Sequence, residues 1–292
     1  MFKIAIASGK GGTGKTFIAT NLFYTLLKNL INAVLVDCDA EAPDAVAFFK
    51  VRQFNITEVT QLIPVINKRN CTFCSKCHEY CNYNSIFILP PVKIIQVIED
   101  LCHGCGACSV ACEFNAISEK PVSLGHITKY LNVSNHFLIE ARTNIGVMSP
   151  AKVIKAAIRA IDNDADIALL DSPPGTSCPF IHTVSTADYI ILVTEPTPFG
   201  LSDMKQSIEV LQNLNKPFGV IINRAGLGNR QVHKYLLDKD IDLLLEIPFS
   251  KDIACLYSKG MLAAEKDTSF EGQMLEVFET IFAKNGNSNY QR

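Results

Sequence analysis

Short apolar runs that stop at turns alternate along this chain with stretches carrying an apolar residue every three or four positions. Residues 3–7, Lys-Ile-Ala-Ile-Ala, end at a glycine-rich turn, as a strand buried on both faces does. Residues 16–30 place Phe17, Leu22, Leu26, Leu27 and Leu30 at helical spacing, and the apolar run 33–36 closes a strand–helix–strand unit. Further strands are predicted at 166–170, 189–194, 218–223 and 241–245, with helices at 151–161, 201–214 and 231–239. The expected fold class is therefore α/β, a doubly wound and mostly parallel sheet with helices on both faces.

One region breaks the alternation. Between residues 70 and 118 the chain is rich in cysteine, has only short apolar pieces such as Ile86-Phe87-Ile88-Leu89, and turns at Pro90-Pro91, Gly104 and Gly106. It reads as a small α+β insert, giving domains at 1–62, 63–119 and 120–292, with the first and third forming one α/β domain. The 292 residues suffice for one large core plus such an insert.

Charge and hydropathy narrow the setting. A formal charge of −2 predicts no general attraction to nucleic acid or anionic lipid. No apolar run reaches the ~18 residues of a membrane span, and the start lacks a signal peptide's basic and apolar regions. The expected location is the cytoplasm. Residues 270–284 carry an apolar stripe of Leu275, Phe278, Ile281 and Phe282 beside Glu271, Glu276 and Glu279. An acidic helix of that kind packs on its own domain, so stable membrane binding is not expected.

The turn after the first strand is Gly9-Lys10-Gly11-Gly12-Thr13-Gly14-Lys15-Thr16, which satisfies G-x-x-x-x-G-K-[ST] between a strand and a helix. Glycines there let backbone N–H groups turn inward around phosphates, at the N-terminus of the following helix. Lys15 is expected on the β- and γ-phosphates and the Thr16 hydroxyl on Mg²⁺. The plainer alternative is a glycine-rich turn that binds nothing. The additional lysine, Lys10, makes the loop resemble the deviant Walker A motif of MinD/ParA ATPases, the nitrogenase iron protein and Mrp-type iron–sulfur carriers.

That resemblance covers nearly all of the chain outside the insert and implies further roles. Lys10 would reach across an ATP-dependent homodimer to the phosphates of the other subunit. Val36-Asp37-Cys38-Asp39 matches the first switch, with Asp39 orienting the attacking water and Asp37 in the Mg²⁺ shell. Residues 167–175 resemble a Walker B strand running into the second switch, with Asp171 holding Mg²⁺ through water and Gly175 sensing the γ-phosphate. Asn223 would contact adenine, and the loop 195–200 would shape the nucleotide or dimer surface. ATP is implied over GTP, since the guanine-reading N-K-x-D is absent.

Eight of the eleven cysteines lie in two runs, Cys71-x2-Cys74-x2-Cys77-x3-Cys81 and Cys102-x2-Cys105-x2-Cys108-x3-Cys112. Clustered cysteines in a reducing compartment point to metal or cluster ligation rather than disulfides. The runs resemble bacterial-type ferredoxins with two [4Fe–4S] clusters, in which the fourth cysteine of each run serves the other cluster. That pattern implies one cluster on Cys71, Cys74, Cys77 and Cys112, and a second on Cys102, Cys105, Cys108 and Cys81. Asn82 and Glu113 stand where the usual proline follows the fourth cysteine. Zinc would leave the regular third and fourth cysteines unexplained, and His78 and His103 read as surface residues. Cys178 lies in the second-switch segment without the spacing of the iron protein's pair, and Cys38 and Cys255 read as core or near-core.

Joined in one chain, the two modules predict an ATP-hydrolysing switch that couples nucleotide state to electron transfer or to metallocofactor and iron–sulfur protein assembly. The partner would be a redox or assembly protein. The competing expectation is a MinD/ParA-like spatial organiser whose clusters are structural. An ATP-dependent amidoligase fits less well, because no glutaminase or substrate-binding half is visible.

Overall fold

The runs that read as buried strands form the middle of a nine-stranded sheet in the computed structural model, which describes residues 1–132, 137–162 and 164–285. In chain order the first elements are β1 (Phe2–Ala7), α1 (Lys15–Lys28), β2 (Ala33–Asp37), β3 (Val51–Ile66), α2 (Lys76–Glu79), β4 (Ile86–Leu89) and β5 (Ile94–Val97). Next come α3 (Ala107–Ala111), β6 (Ile117–Asn132), β7 (Phe137–Thr143), α4 (Ala151–Arg159), β8 (Ile167–Asp171), α5 (Cys178–Thr186) and β9 (Tyr189–Thr194). The chain continues with α6 (Pro198–Asn213), β10 (Phe218–Ala225), α7 (Gln231–Asp238), β11 (Leu243–Pro248), α8 (Lys251–Ser258), α9 (Ala263–Lys266) and α10 (Thr268–Asn285).

The strand order is β11-β10-β9-β1-β8-β2-β7-β6-β3, and every pairing from β11 to β7 is parallel. β1, β2, β8 and β9 are buried along almost their whole length, which is why they read as unbroken apolar runs. β3, β6 and β7 were not expected as strands. β3 exposes most of its residues and carries Pro64, β6 carries Pro121, and neither shows a run that apolar patterning detects. β7 places Glu140 in its interior, buried and paired with the Arg142 guanidinium at 2.9 Å.

The chain divides into two units. The first comprises Met1–Thr57, Ile127–Arg142 and the chain from Ala151 onward. The second comprises Glu58–His126 and Thr143–Pro150, wider than the cysteine-rich stretch. In the first, the core between sheet and helices holds Ile4, Ile6, Phe17, Leu22, Leu35, Leu169 and Ile191. The apolar stripe of α10 is used up there: Phe270, Met274, Val277, Phe278 and Ile281 are buried, and Phe270 stacks on Phe17 of α1. Leu275, expected in that stripe, is only half-buried. Among the described residues no helix is long and apolar enough to cross a membrane.

Asn21 ties these helices together. Its Nδ2 donates to the Phe17 carbonyl at 2.7 Å, and its Oδ1 accepts the buried Ala264 N–H of α9 at 2.8 Å. Replacing it by alanine strands that N–H, a loss of about 1–3 kcal/mol. Asn21→Ala is expected to lower the urea midpoint with an unchanged m-value, measured by circular dichroism.

Candidate functional site

β1 and α1 are joined by the loop 8–14, whose glycines have steric reasons to be there. Gly12 and Gly14 take positive φ of 76° and 101°, which favours glycine strongly over residues with a side chain. A Cβ on Gly9 would run into the Asp203 backbone of α6, and one on Gly14 into the Asn223 amide. Gly11, by contrast, has open space around it. Lys15 is 6% exposed and begins α1, Thr16 follows it half-buried, and the buried Thr13 hydroxyl has no hydrogen-bond partner among the described residues. Asn223, at the end of β10, donates from Nδ2 to the Thr13 carbonyl at 2.8 Å and so braces the loop.

Two acidic residues face each other at the carboxyl ends of adjacent strands. Asp37 of β2 and Asp171 of β8 are opposite in register, and both are fully buried. Asp37 accepts N–H bonds from Asp39 at 3.1 Å and from Asp44 and Ala45 at 3.0 Å, so it folds the segment that follows it. Asp171 has no hydrogen-bond partner on either oxygen among the described residues. Asp37, Asp44 and Asp171 bring one oxygen each within 4.8 Å of the others, the only such trio of His, Cys, Asp and Glu among the described residues. A buried carboxylate without partners beside a second one fits a cation, and these three with Thr16 could hold it.

The electrostatics agree. Burial drives the Asp171 pKa up to about 7, although the Thr16 hydroxyl and the Lys15 ammonium pull it back. Burial and then the Asp171 charge push Asp37 well above the ordinary carboxylate range. Half-buried Asp39 is raised by its burial and opposed by Lys15. Asp44 escaped the sequence reading, being a lone exposed acid after a proline; its oxygen also accepts the Tyr257 hydroxyl at 3.3 Å.

Lys10 is ion-paired with Glu195, whose other oxygen takes Arg224 at 3.1 Å. Glu195 belongs to the loop 195–200 that sequence reasoning marked only in general terms. The Gly175 N–H donates to the Ser8 carbonyl at 3.1 Å, which holds the start of the second-switch segment beside the loop. Cys178 is exposed at the start of α5 and Cys38 is buried; Cys255, expected in or near the core, is exposed on α8.

In the second unit the eight cysteines fall into two cavities. One is lined by Cys71, Cys74, Cys77 and Cys112, the other by Cys81, Cys102, Cys105 and Cys108. The fourth cysteine of each run thus sits with the first three of the other. Matching N–H donors repeat in both runs: Phe73 to Cys71 Sγ and Gly104 to Cys102 Sγ at 3.4 Å, then Ser85 to Cys81 Sγ at 3.3 Å and Ala116 to Cys112 Sγ at 3.4 Å. No three sulfurs among the described residues approach within 4.8 Å of one another, as the Zn–S bonds of ~2.3 Å around one zinc ion would require. Burial raises the Cys77 thiol to about 11 and also raises Cys108, whereas in Cys81 burial is outweighed by the hydrogen bonds of Ser85 together with the backbone N–H groups of Tyr83 and Ile86, which lower it. His78 binds the Ile86 carbonyl, and His103, which lines the second cavity, stacks on Tyr83.

Residues 4–263 match the CobQ/CobB/MinD/ParA nucleotide binding domain, and the chain belongs to that family. An uncharacterized protein of Methanocaldococcus jannaschii is 33% identical over 89% of this chain and 90% of its own length. An iron-sulfur cluster carrier protein of Rickettsia felis is 25% identical over 88% of this chain and 64% of its own. Among solved structures, the septum site-determining protein MinD of Pyrococcus horikoshii, complexed with Mg-ADP, superposes with a TM-score of 0.61 at 19% identity. That match covers 99% of both chains and is a likeness of fold.

The raised carboxylates set a pH dependence. Between the unfolded value near 4 and about 7, folded Asp171 keeps a proton that the unfolded chain releases, so stability without nucleotide falls as pH climbs through that window. Asp171→Asn removes this penalty. The variant is expected to melt higher than wild type at pH 8 without nucleotide, by about 2–4 °C per kcal/mol relieved, yet to gain nothing from Mg-ATP in differential scanning fluorimetry. A variant that melts lower at pH 8 would contradict the penalty.

Proposed function

We propose that this protein is an ATP-hydrolysing iron–sulfur switch, which couples nucleotide state in a homodimer to electron transfer or to the assembly of a metallocofactor protein. The observation that carries this reading is the pair of four-cysteine cavities with exchanged fourth ligands, in a chain of a nucleotide-binding family. Crossed ligation is the arrangement of two-cluster ferredoxins. The carrier protein named above, though only a quarter identical, supports an iron–sulfur connection.

In the nucleotide site, backbone N–H groups of the loop 9–15 and the Lys15 ammonium bind the phosphates of ATP, with Asn223 bracing the loop and close to the base. Thr16, Asp37, Asp44 and Asp171 hold Mg²⁺, which when bound offsets charge on the phosphates. Asp39 orients the attacking water. Lys10 exchanges Glu195 for the phosphates of the opposite subunit, placing a cation where negative charge develops. The cysteine quartets hold two [4Fe–4S] clusters, which when bound store one electron each. In sequence the second unit begins at Glu58, within β3, the first strand after the switch segment. A change in the segment 37–44 on hydrolysis is therefore passed to the cluster-bearing unit and its protein partner.

A MinD-like organiser reading has the fold likeness in its favour, but the buried apolar stripe of α10 is not available to a membrane. Anaerobic preparations test the cluster assignment: eight irons per chain are expected, and stoichiometric zinc without iron would sink it. In the same preparations Lys10→Ala is expected to lose about 10²–10³-fold in phosphate release while retaining ATP in equilibrium dialysis. Wild-type turnover in that variant would rule out the exchange.

A further inference from the structure

The two cysteine cavities repeat the same backbone donors to sulfur, and among the differences in their linings is one buried residue beside a ligand sulfur. Four residues after the fourth cysteine of each run, the backbone N–H donates back to that cysteine's sulfur, from Ser85 to Cys81 and from Ala116 to Cys112. Ser85 is 3% exposed and Ala116 is 2% exposed. Only Ser85 has a hydroxyl, and its Oγ lies 3.1 Å from Cys81 Sγ. A cysteine that ligates iron is a thiolate with no proton to give, so in a loaded site the hydroxyl is the donor.

Resting on the cluster reading above, we propose that Ser85 is a redox-tuning residue: its hydroxyl raises the reduction potential of the cluster closed by Cys81, making the two clusters inequivalent. The added electron makes the sulfurs more negative, and a hydrogen bond to a more negative acceptor is stronger. The bond therefore stabilises the reduced form more than the oxidised one, and hydrogen bonds to sulfur are among the known determinants of potential. At Ala116 the corresponding contribution is missing.

Other charges near the cavities are less able to set this difference. Glu119 lines the Cys81 cavity, but it is exposed and accepts the Ser109 hydroxyl at 2.9 Å. Lys76 lines the Cys112 cavity, and Glu113 neutralises it. Surface charges are screened by water and salt, whereas the Ser85 hydroxyl is buried and points at the ligand atom itself. Alanine at 85 deletes the hydroxyl and leaves the backbone N–H bond, a local arrangement that Ala116 already shows in the sister site.

The test is an anaerobic EPR-monitored titration of the full chain with iron determined in each sample. Wild type is expected to hold eight irons and reduce at two resolved potentials. Ser85→Ala is expected to keep eight irons and shift one potential downward while the other stays. Ser85→Thr, which keeps a hydroxyl, should restore it, and Ala116→Ser should shift the second potential upward. Eight irons with both potentials unmoved in Ser85→Ala and Ala116→Ser would overturn the tuning role and leave the cluster reading intact. A wild type without eight irons would overturn the cluster reading and this proposal with it. If Ser85→Ala lost its irons, the Ala116→Ser shift alone would decide, upward in support and absent in refutation.

Discussion

Two carboxylates, placed side by side in the interior by the register of two parallel strands, govern the rest of the first unit. Asp37 and Asp171 are opposite one another at the ends of β2 and β8, with no access to solvent. Burying one charge is expensive, and burying two of the same sign more so. The chain answers asymmetrically. Asp37 is given three backbone N–H donors and so folds the segment 37–45 around itself, while Asp171 is left bare beside Lys15 and Thr16. In the proposed reading a cation, and the nucleotide it carries, completes such a site and offsets that cost.

The second unit solves a different problem with the same economy of parts. Its buried core is Cys77, Ile86, Ile95 and Cys108, edged by half-buried residues including Ile66, Ile88 and Ile117. A core so small rarely holds a fold by itself, and small units need staples. The crossed pairing of cysteine runs supplies them, because each cavity joins the two halves of the unit, α2 with the stretch after α3 and α3 with the stretch after α2. In the proposed cluster reading, ligation there would be as much a matter of folding as of electron storage.

Much of this could be read from the chain. The middle strands were legible because burial on both faces leaves an unbroken apolar run, and the phosphate loop because its glycines are sterically required at positions 9, 12 and 14. The cysteine sets were legible because their spacing is regular. What escaped has identifiable causes. β3 and β6 are long and interrupted by proline, and β3 is largely exposed. α5 opens on Cys178-Pro179 and is short. Asp44 becomes part of a trio only because Asp37 draws its N–H inward, and Glu195 becomes the partner of Lys10 only through the fold. Ser85 differs from its counterpart by one oxygen, which matters only once both sites are seen together.

The central claim is that nucleotide state and cluster state are linked. It is tested most directly by titrating the loaded protein anaerobically, with EPR detection, in the presence of Mg-ADP and again with a non-hydrolysable ATP analogue. A shift of potential or spectrum between the two nucleotides is the predicted result. Identical titrations, in a protein that still hydrolyses ATP, would contradict the linkage and leave the cysteine-rich unit with a docking or structural role.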